Sequence, residues 1–108
     1  MRVRTDNPLA FDALLQGYGY VRAEGSENIA RAVDQFRLAV RLDPEFVDAW
    51  DGLASTLALY DFWHPDLFPA ARAERREALS RALALAPNAS GLQIQKAWMR
   101  FEDGGGIG

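Results

Sequence analysis

One short pattern occurs twice in this sequence, and it restricts the fold more than any other feature. In residues 36–44 (FRLAVRLDP) and again in residues 79–87 (LSRALALAP), a phenylalanine or leucine is followed by alanine three positions later and by proline five positions after that. Apolar residues at spacings of three and four lie on one face of an α-helix, whereas proline is tolerated mainly in a helix's first turn. The pattern therefore predicts repeated units in which one helix ends where the next begins.

Five segments have helical spacing, and the sustained alternation typical of β-strands is absent from the sequence. Asn7 and Asp43, each followed by proline, are signals for the start of a helix. Ser26 is expected to cap the second helix and Asp66 the fourth, with residues 61–67 (DFWHPDL) forming a loop before it. The predicted helices cover residues 8–23, 27–42, 44–60, 68–86 and 89–102.

The length and charge of the chain limit its domain organisation and its partners. We expect a single domain over residues 1–103 of the 108, followed by a flexible glycine-rich tail at residues 104–108. There are 12 basic and 15 acidic residues, giving a net charge of −3, and the basic residues are dispersed. This argues against nucleic acid or an anionic membrane as partner. The charged run at residues 72–77 is expected to be a solvated helix face.

The sequence also lacks the features of a secreted or membrane protein. It contains no cysteine, which excludes disulfides, thiolate metal sites and cysteine nucleophiles. No apolar run follows the charged residues at the N-terminus, as a signal peptide would require, and no apolar stretch is long enough to span a bilayer. We therefore expect a cytoplasmic protein.

Catalytic and metal chemistry have little support in the sequence. His64 is the sole histidine, and we find no set of nucleophile, base and orienting group that could be assembled with it. Asp61, His64 and Asp66 form the one grouping that resembles a metal site, but their spacing matches no metal signature. Residues 104–106 are glycines without the strand and helix that flank a phosphate-binding loop. We predict no enzymatic activity, no cofactor and no bound metal.

The helices that follow the start signals resemble a known repeat. Residues 49–57 (AWDGLASTL) are similar to the first-helix pattern of the tetratricopeptide repeat (TPR) family, Trp-x-x-Leu-Gly-x-x-Tyr, and residues 13–20 (ALLQGYGY) fit the same frame. Ala32 and Phe36 match the second-helix pattern. Small residues such as Gly17 would let paired helices approach closely, while Phe36 fills the gap between them. The resemblance covers about residues 9–102 and implies a right-handed α–α superhelix of two helix hairpins plus one extra helix.

The repeat is stretched compared with regular TPR arrays. The two prolines, Pro44 and Pro87, are 43 residues apart, about nine more than a regular TPR repeat allows. The segments 14–44 and 48–60 look like the divergent TPR arrays of bacterial transcriptional regulators and nucleotide cyclases. The resemblance implies a non-catalytic protein–protein interaction or scaffold module within a larger bacterial regulatory protein. The alternative is a small-ligand-sensing receptor domain with an aromatic concave groove.

In TPR arrays the first helix of each pair lines a concave groove, and the resemblance carries that role to particular residues of this chain. An ordinary surface or core position is the alternative interpretation for each of them. The Lys and Asn clamp with which some TPR domains bind chaperone tails is missing, because its places hold Leu14, Tyr18, Gly52, Gly91 and Gln95. The expected groove for an unidentified protein or peptide comprises Phe11, Leu14, Tyr18, Arg22, Asp48, Asp51, Ser55, Leu59, Ile94 and Trp98.

The last predicted helix is apolar on two sides. Ile94, Trp98 and Phe101 fall on one side, and Leu92 and Met99 fall on the other. Large apolar side chains left in water would consume much of a small domain's stability, since burial of each contributes about 1.5–3 kcal/mol. We therefore expect a homodimer that buries Ile94, Trp98 and Phe101 between two copies of the C-terminal helix.

Overall fold

Helices provide the regular structure throughout the part of the chain that the computed structural model describes, which comprises residues 5–63, 66, 70–88, 93–97 and 100. The all-helical prediction is therefore confirmed, and the predicted tail at residues 104–108 lies outside the described residues. The helices are α1 (Pro8–Ala23), α2 (Ser26–Leu42), α3 (Val47–Trp63) and α4 (Ala71–Leu85), and residues 93–97 form a further helical segment.

The start of α1 agrees with its sequence signal. The Asn7 side chain accepts hydrogen bonds from the backbone N–H groups of Leu9 and Ala10, at 2.9 and 3.2 Å. Pro8 occupies the first turn, where its missing N–H has no intrahelical partner to lose. The Asn7 side chain also donates to the carbonyl of Leu42 at 3.3 Å. The start of α1 is thereby joined to the end of α2.

The connection between α1 and α2 is only two residues long, and both have positive φ. Glu24 has φ 60° and Gly25 has φ 88°, a region that glycine enters without steric cost. Gly25 occupies the cap position of α2, and no side chain caps that helix. The prediction that Ser26 caps α2 is therefore wrong, because the tight connection makes Ser26 the first helical residue.

Helix α3 begins and ends about three residues later than predicted. Pro44 and Glu45 form a turn in which the Asp43 carbonyl accepts from the N–H of Phe46 at 3.1 Å, and the Asp43 side chain accepts from the N–H of Glu45 at 3.1 Å. The acceptors of Asp43 thus serve a turn that precedes the helix. Residues 61–63, predicted to be loop, belong to α3.

Helix α4 begins at Ala71, three residues after the predicted start. Its cap position is Ala70, and no side-chain hydrogen bond caps it. The prediction that Asp66 caps this helix is wrong; Asp66 is exposed in a turn. Arg75, expected on a solvated face, is only 2% exposed, because it shares the inward face of α4 with Ala71 and Ala78.

The helices pack in sequence order as two pairs. Helix α1 packs mainly on α2, and α3 mainly on α4; α2 also packs on α3, and α1 touches α3. Helix α2 packs one apolar face into the core, formed by Ile29, Ala32, Val33, Phe36, Ala39 and Val40, all of which are buried.

The Phe36 ring lies at the centre of this packing. A Cβ atom on Gly17 of α1 would lie 2.8 Å from the ring, and one on Gly52 of α3 would lie 2.7 Å from it. Both distances are below van der Waals contact, so glycine is what lets α1 and α3 approach the ring. The predicted role of Gly17 in close helix contact is confirmed, and Gly52 has the same role from α3.

Candidate functional site

Helix α1 presents a row of large side chains to solvent. Phe11, Leu15 and Tyr18 are 46%, 52% and 41% exposed, and Arg22 continues the row one turn further on. Spacings of four, three and four residues place all four on one side of the helix. The opposite side, formed by Ala10, Ala13, Leu14 and Gly17, is buried. Phe11, Leu15 and Tyr18 therefore form an apolar face that stays about half exposed in the described part of the chain, and Arg22 lies at its end.

Helix α3 carries a second row of four side chains, of which three are polar. Asp48, Asp51, Ser55 and Leu59 follow spacings of three, four and four residues. Asp48 and Asp51 are partly buried, whereas Ser55 and Leu59 are exposed. The Ser55 hydroxyl donates to the Asp51 carboxylate at 3.3 Å.

A third segment reaches the same place. Gln95, in the helical residues 93–97, donates from Nε2 to Oδ1 of Asp51 at 2.7 Å. Its neighbour Ile94 is 71% exposed. Asp51 is thus the point at which this segment attaches to α3.

Tyr18 joins the two rows. Its ring packs edge-on against Phe36, with centroids 5.2 Å apart and planes at 74°. The pKa of the Tyr18 hydroxyl is raised above 10.0, first by burial and then by the charges of Asp51 and Asp48. We refer to Phe11, Leu15, Tyr18, Asp48, Asp51, Ser55 and Gln95 as the α1–α3 surface.

The two carboxylates of this surface are close enough to influence one another. The pKa of Asp48 is raised above 3.8, first by burial and then by the charge of Asp51. None of the ion pairs formed within the described residues involves Asp48 or Asp51. The surface therefore has a negative charge that no basic residue of the described chain neutralises at ion-pair distance.

The structure brings some of the predicted groove residues together and separates others. Phe11, Tyr18, Asp48, Asp51 and Ser55 share the α1–α3 surface. Leu14 was predicted to face the groove, but it is 5% exposed and belongs to the core. It lies at the edge of the buried side of α1, one turn along from Ala10. The remaining described groove residues, Arg22, Leu59 and Ile94, are exposed, and Trp98 of the groove and Phe101 of the predicted dimer contact lie outside the described residues.

Two members of the surface were absent from the predicted groove. Leu15 follows Phe11 by four residues, and this helical spacing was a signal for their common face. Gln95 stood at a clamp position in the TPR resemblance, but its contact with Asp51 had no signal, because it depends on how a different helix is positioned.

A second depression lies among α2, α3 and α4. Its volume is about 240 Å³, and Arg37, Arg41, Trp50 and Glu77 are among the residues that line it. At its rim Arg37 donates two hydrogen bonds of 2.6 Å to the Glu74 carboxylate. Because the charges of Arg37 and Glu74 neutralise one another, this depression is less suited to a charged ligand than the α1–α3 surface is.

Two of the acidic residues considered for a metal site, Asp61 and Asp66, lie within the described residues. Over the described residues no group of three or more His, Cys, Asp or Glu is arranged to hold a metal ion. Asp61 lies 3.9 Å from the guanidinium of Arg75 and 4.0 Å from that of Arg72. His64, which was considered with Asp61, lies outside the described residues.

Among the described helices, none is both long and apolar enough to cross a bilayer. Comparison of the chain with protein-family models, with curated proteins and with solved structures gives no match.

Proposed function

We propose that this chain is a non-catalytic protein–protein interaction module that binds a protein or peptide at the α1–α3 surface. The observation that carries the proposal is the exposed row of Phe11, Leu15 and Tyr18 on α1, which comes near the α3 carboxylates at Tyr18. Contiguous exposed apolar side chains bordered by polar groups are typical of protein interaction sites. A row at spacings of four and three is also the arrangement that contacts an apolar segment of a partner.

We further propose that the helices form a TPR-like right-handed superhelix. The packing order supports this: α1 pairs with α2, α3 pairs with α4, and α1 touches α3. In such an array the first helices of successive pairs stand side by side on the concave face. The α1–α3 surface would then be that face, extended by residues 93–97. A place in the cytoplasm, within a larger bacterial regulatory protein, remains part of this proposal.

A small-ligand receptor is the second candidate. The observation in its favour is Tyr18, an aromatic ring with two carboxylates near its hydroxyl. A melting-temperature screen against small metabolites distinguishes the candidates, because a ligand that binds the folded state raises the melting temperature. A shift that Tyr18→Phe abolishes would favour the receptor.

The test of the interaction function compares two matched changes. A displayed library of random short peptides is selected on the wild-type protein, and the selected peptides are then measured on Phe11→Ala/Leu15→Ala and on Leu38→Ala. Leu38 is exposed on α2, outside the α1–α3 surface. We expect the double variant to lose binding by about tenfold or more, since interface apolar anchors each contribute on the order of 1–2 kcal/mol, and the Leu38 variant to bind as wild type does.

Circular dichroism and melting curves check that both variants fold. Peptides that bind the double variant as well as wild type would contradict the proposed location of the binding site. Failure to select any peptide, combined with a small-metabolite shift, would favour the receptor instead.

A further inference from the structure

We infer that the partner bound at the α1–α3 surface is a peptide segment in which a Lys or Arg side chain stands next to an apolar one. The cation would lie between the Tyr18 ring and the carboxylates of Asp48 and Asp51. This inference rests on the proposed function and specifies its partner by charge.

The first argument is charge complementarity. Asp48 and Asp51 are partly buried, they come from successive turns of α3, and neither takes part in an ion pair within the described residues. The hydrogen bonds that the Asp51 carboxylate accepts come from two neutral groups, the Ser55 hydroxyl and the Gln95 amide. Neutral donors orient a carboxylate without cancelling its charge. A partner cation would supply the missing countercharge, whereas an acidic partner would be repelled.

The second argument is the aromatic ring beside these carboxylates. Tyr18 remains 41% exposed although one side of its ring packs on Phe36. Lysine and arginine are attracted to the face of an exposed aromatic ring, most strongly where nearby groups exclude some of the solvent. The ring and the two carboxylates therefore favour the same kind of side chain from different directions.

The third argument concerns the residues next to the cation. Phe11 and Leu15 extend the surface along α1 from Tyr18 toward the start of the helix, and both are about half exposed. They offer an apolar contact to whatever precedes or follows the cation in the partner. Arg22, one turn beyond Tyr18 at the opposite end, would repel a second cation placed there. The surface thus favours a partner peptide whose apolar residue lies on the Phe11 side of its cation.

The experiment uses the same random-peptide selection and a pair of variants with equal changes in net charge. Asp48→Asn/Asp51→Asn removes both carboxylates but keeps an oxygen that can accept from Gln95 and Ser55. Glu27→Gln/Glu77→Gln removes two exposed acids from α2 and α4, away from the surface. Binding of individual synthetic peptides is measured by titration at low and at high salt.

We expect the selected peptides to be enriched in Lys or Arg beside an apolar residue. Their affinity should fall about tenfold or more on Asp48→Asn/Asp51→Asn, should be unchanged on Glu27→Gln/Glu77→Gln, and should weaken with salt. Replacing the basic residue of a selected peptide by glutamine should cause a similar loss on wild type and little further loss on the Asp48/Asp51 variant.

Three results would overturn the inference, and they differ in whether they also contradict the proposed function. Peptides that need Phe11 and Leu15 but lack basic residues, and that bind Asp48→Asn/Asp51→Asn normally, would refute the cationic partner while supporting the interaction function. Peptides whose binding does not depend on Phe11 and Leu15 would contradict both the cationic partner and the proposed interaction function. Equal losses on the two charge variants would show that net charge, rather than this site, determines binding.

Discussion

Phe36 fills a space that two glycines leave open, and this makes those glycines testable. A methyl group on Gly17 would lie 2.8 Å from a ring that is fully buried, so the ring and its neighbours would have to shift. Gly19, two residues later on the same helix, is exposed, and a methyl group there would meet no atom within 4 Å. A Gly→Ala change at either position alters helix propensity in the same way, so the two changes differ only in packing.

We predict opposite effects of the same substitution at these positions. Gly17→Ala should reduce the free energy of unfolding by about 1–3 kcal/mol, because added volume in a packed core forces strain. Gly19→Ala should increase it by about 0.5–1 kcal/mol, because alanine is a better helix former. Urea unfolding of the two variants measures both. A Gly17→Ala protein as stable as Gly19→Ala would contradict the close contact with Phe36.

Asp48 gives a second prediction at the scale of one residue. Its pKa in the folded protein is raised above 3.8, first by burial and then by Asp51. The folded state therefore holds this proton more tightly than the unfolded chain does. The stability associated with Asp48 is fully present below pH 3.8 and is lost as the pH rises through the raised pKa.

Asp48→Asn should accordingly melt at a higher temperature than wild type at neutral pH, and this advantage should shrink below pH 3.8. Thermal unfolding followed by circular dichroism at the two pH values measures the difference. Glu77→Gln, at an exposed position on α4, is the control and should gain nothing. An Asp48→Asn variant that is less stable at neutral pH would show that Asp48 stabilises the start of α3 more than its charge disfavours the fold.

At the scale of helices, the contact of α2 with α4 has a polar component. Arg37 donates from Nε and Nη2 to the two oxygens of Glu74, both at 2.6 Å, and this hydrogen bond is the main reason why the pKa of Arg37 is raised. The pair is partly exposed, so solvent screens much of its energy. Its bidentate geometry distinguishes it from an ordinary surface ion pair.

A double-mutant cycle should find a coupling of about 1 kcal/mol between Arg37→Ala and Glu74→Ala. The same cycle on Glu27 and Arg31, an exposed pair one turn apart within α2, should find only about 0.3–0.5 kcal/mol. Thermal or urea unfolding of the wild type and the variants of each cycle gives both values. Equal couplings would indicate that the link between α2 and α4 depends on apolar packing alone.

The sequence predicted which segments are helical better than where each helix starts. Asn7 gave the start of α1 because its side chain caps that helix directly. Asp43 misplaced α3 because its acceptors serve the turn that precedes the helix. For the α1–α3 surface, the TPR resemblance predicted that Tyr18, Asp48, Asp51 and Ser55 share one face, and the structure places these four residues on that surface. The resemblance could not predict the contact of Gln95 with Asp51, which depends on the packing of distant segments.

For the whole molecule, the oligomeric state is the proposal with the simplest test. We propose that the chain dimerises through the C-terminal helical residues, and Ile94, at 71% exposed, supports this as an uncovered apolar side chain. Light scattering should give a dimer mass that Ile94→Lys reduces toward the monomer and that Leu38→Lys leaves unchanged. A wild-type monomer at high concentration would contradict the proposed dimer.

The position of Phe36 has a consequence for how the molecule unfolds. The ring is carried by the first helix pair and contacts a glycine of each pair, so neither pair can open without exposing it. Arrays of helix pairs unfold in one step when the interfaces between neighbours are strong and in stages when they are weak. We therefore expect α1–α4 to unfold as one cooperative unit. Hydrogen exchange should report similar opening free energies for the buried amides of α2 and α3, and Phe36→Ala should lower both together.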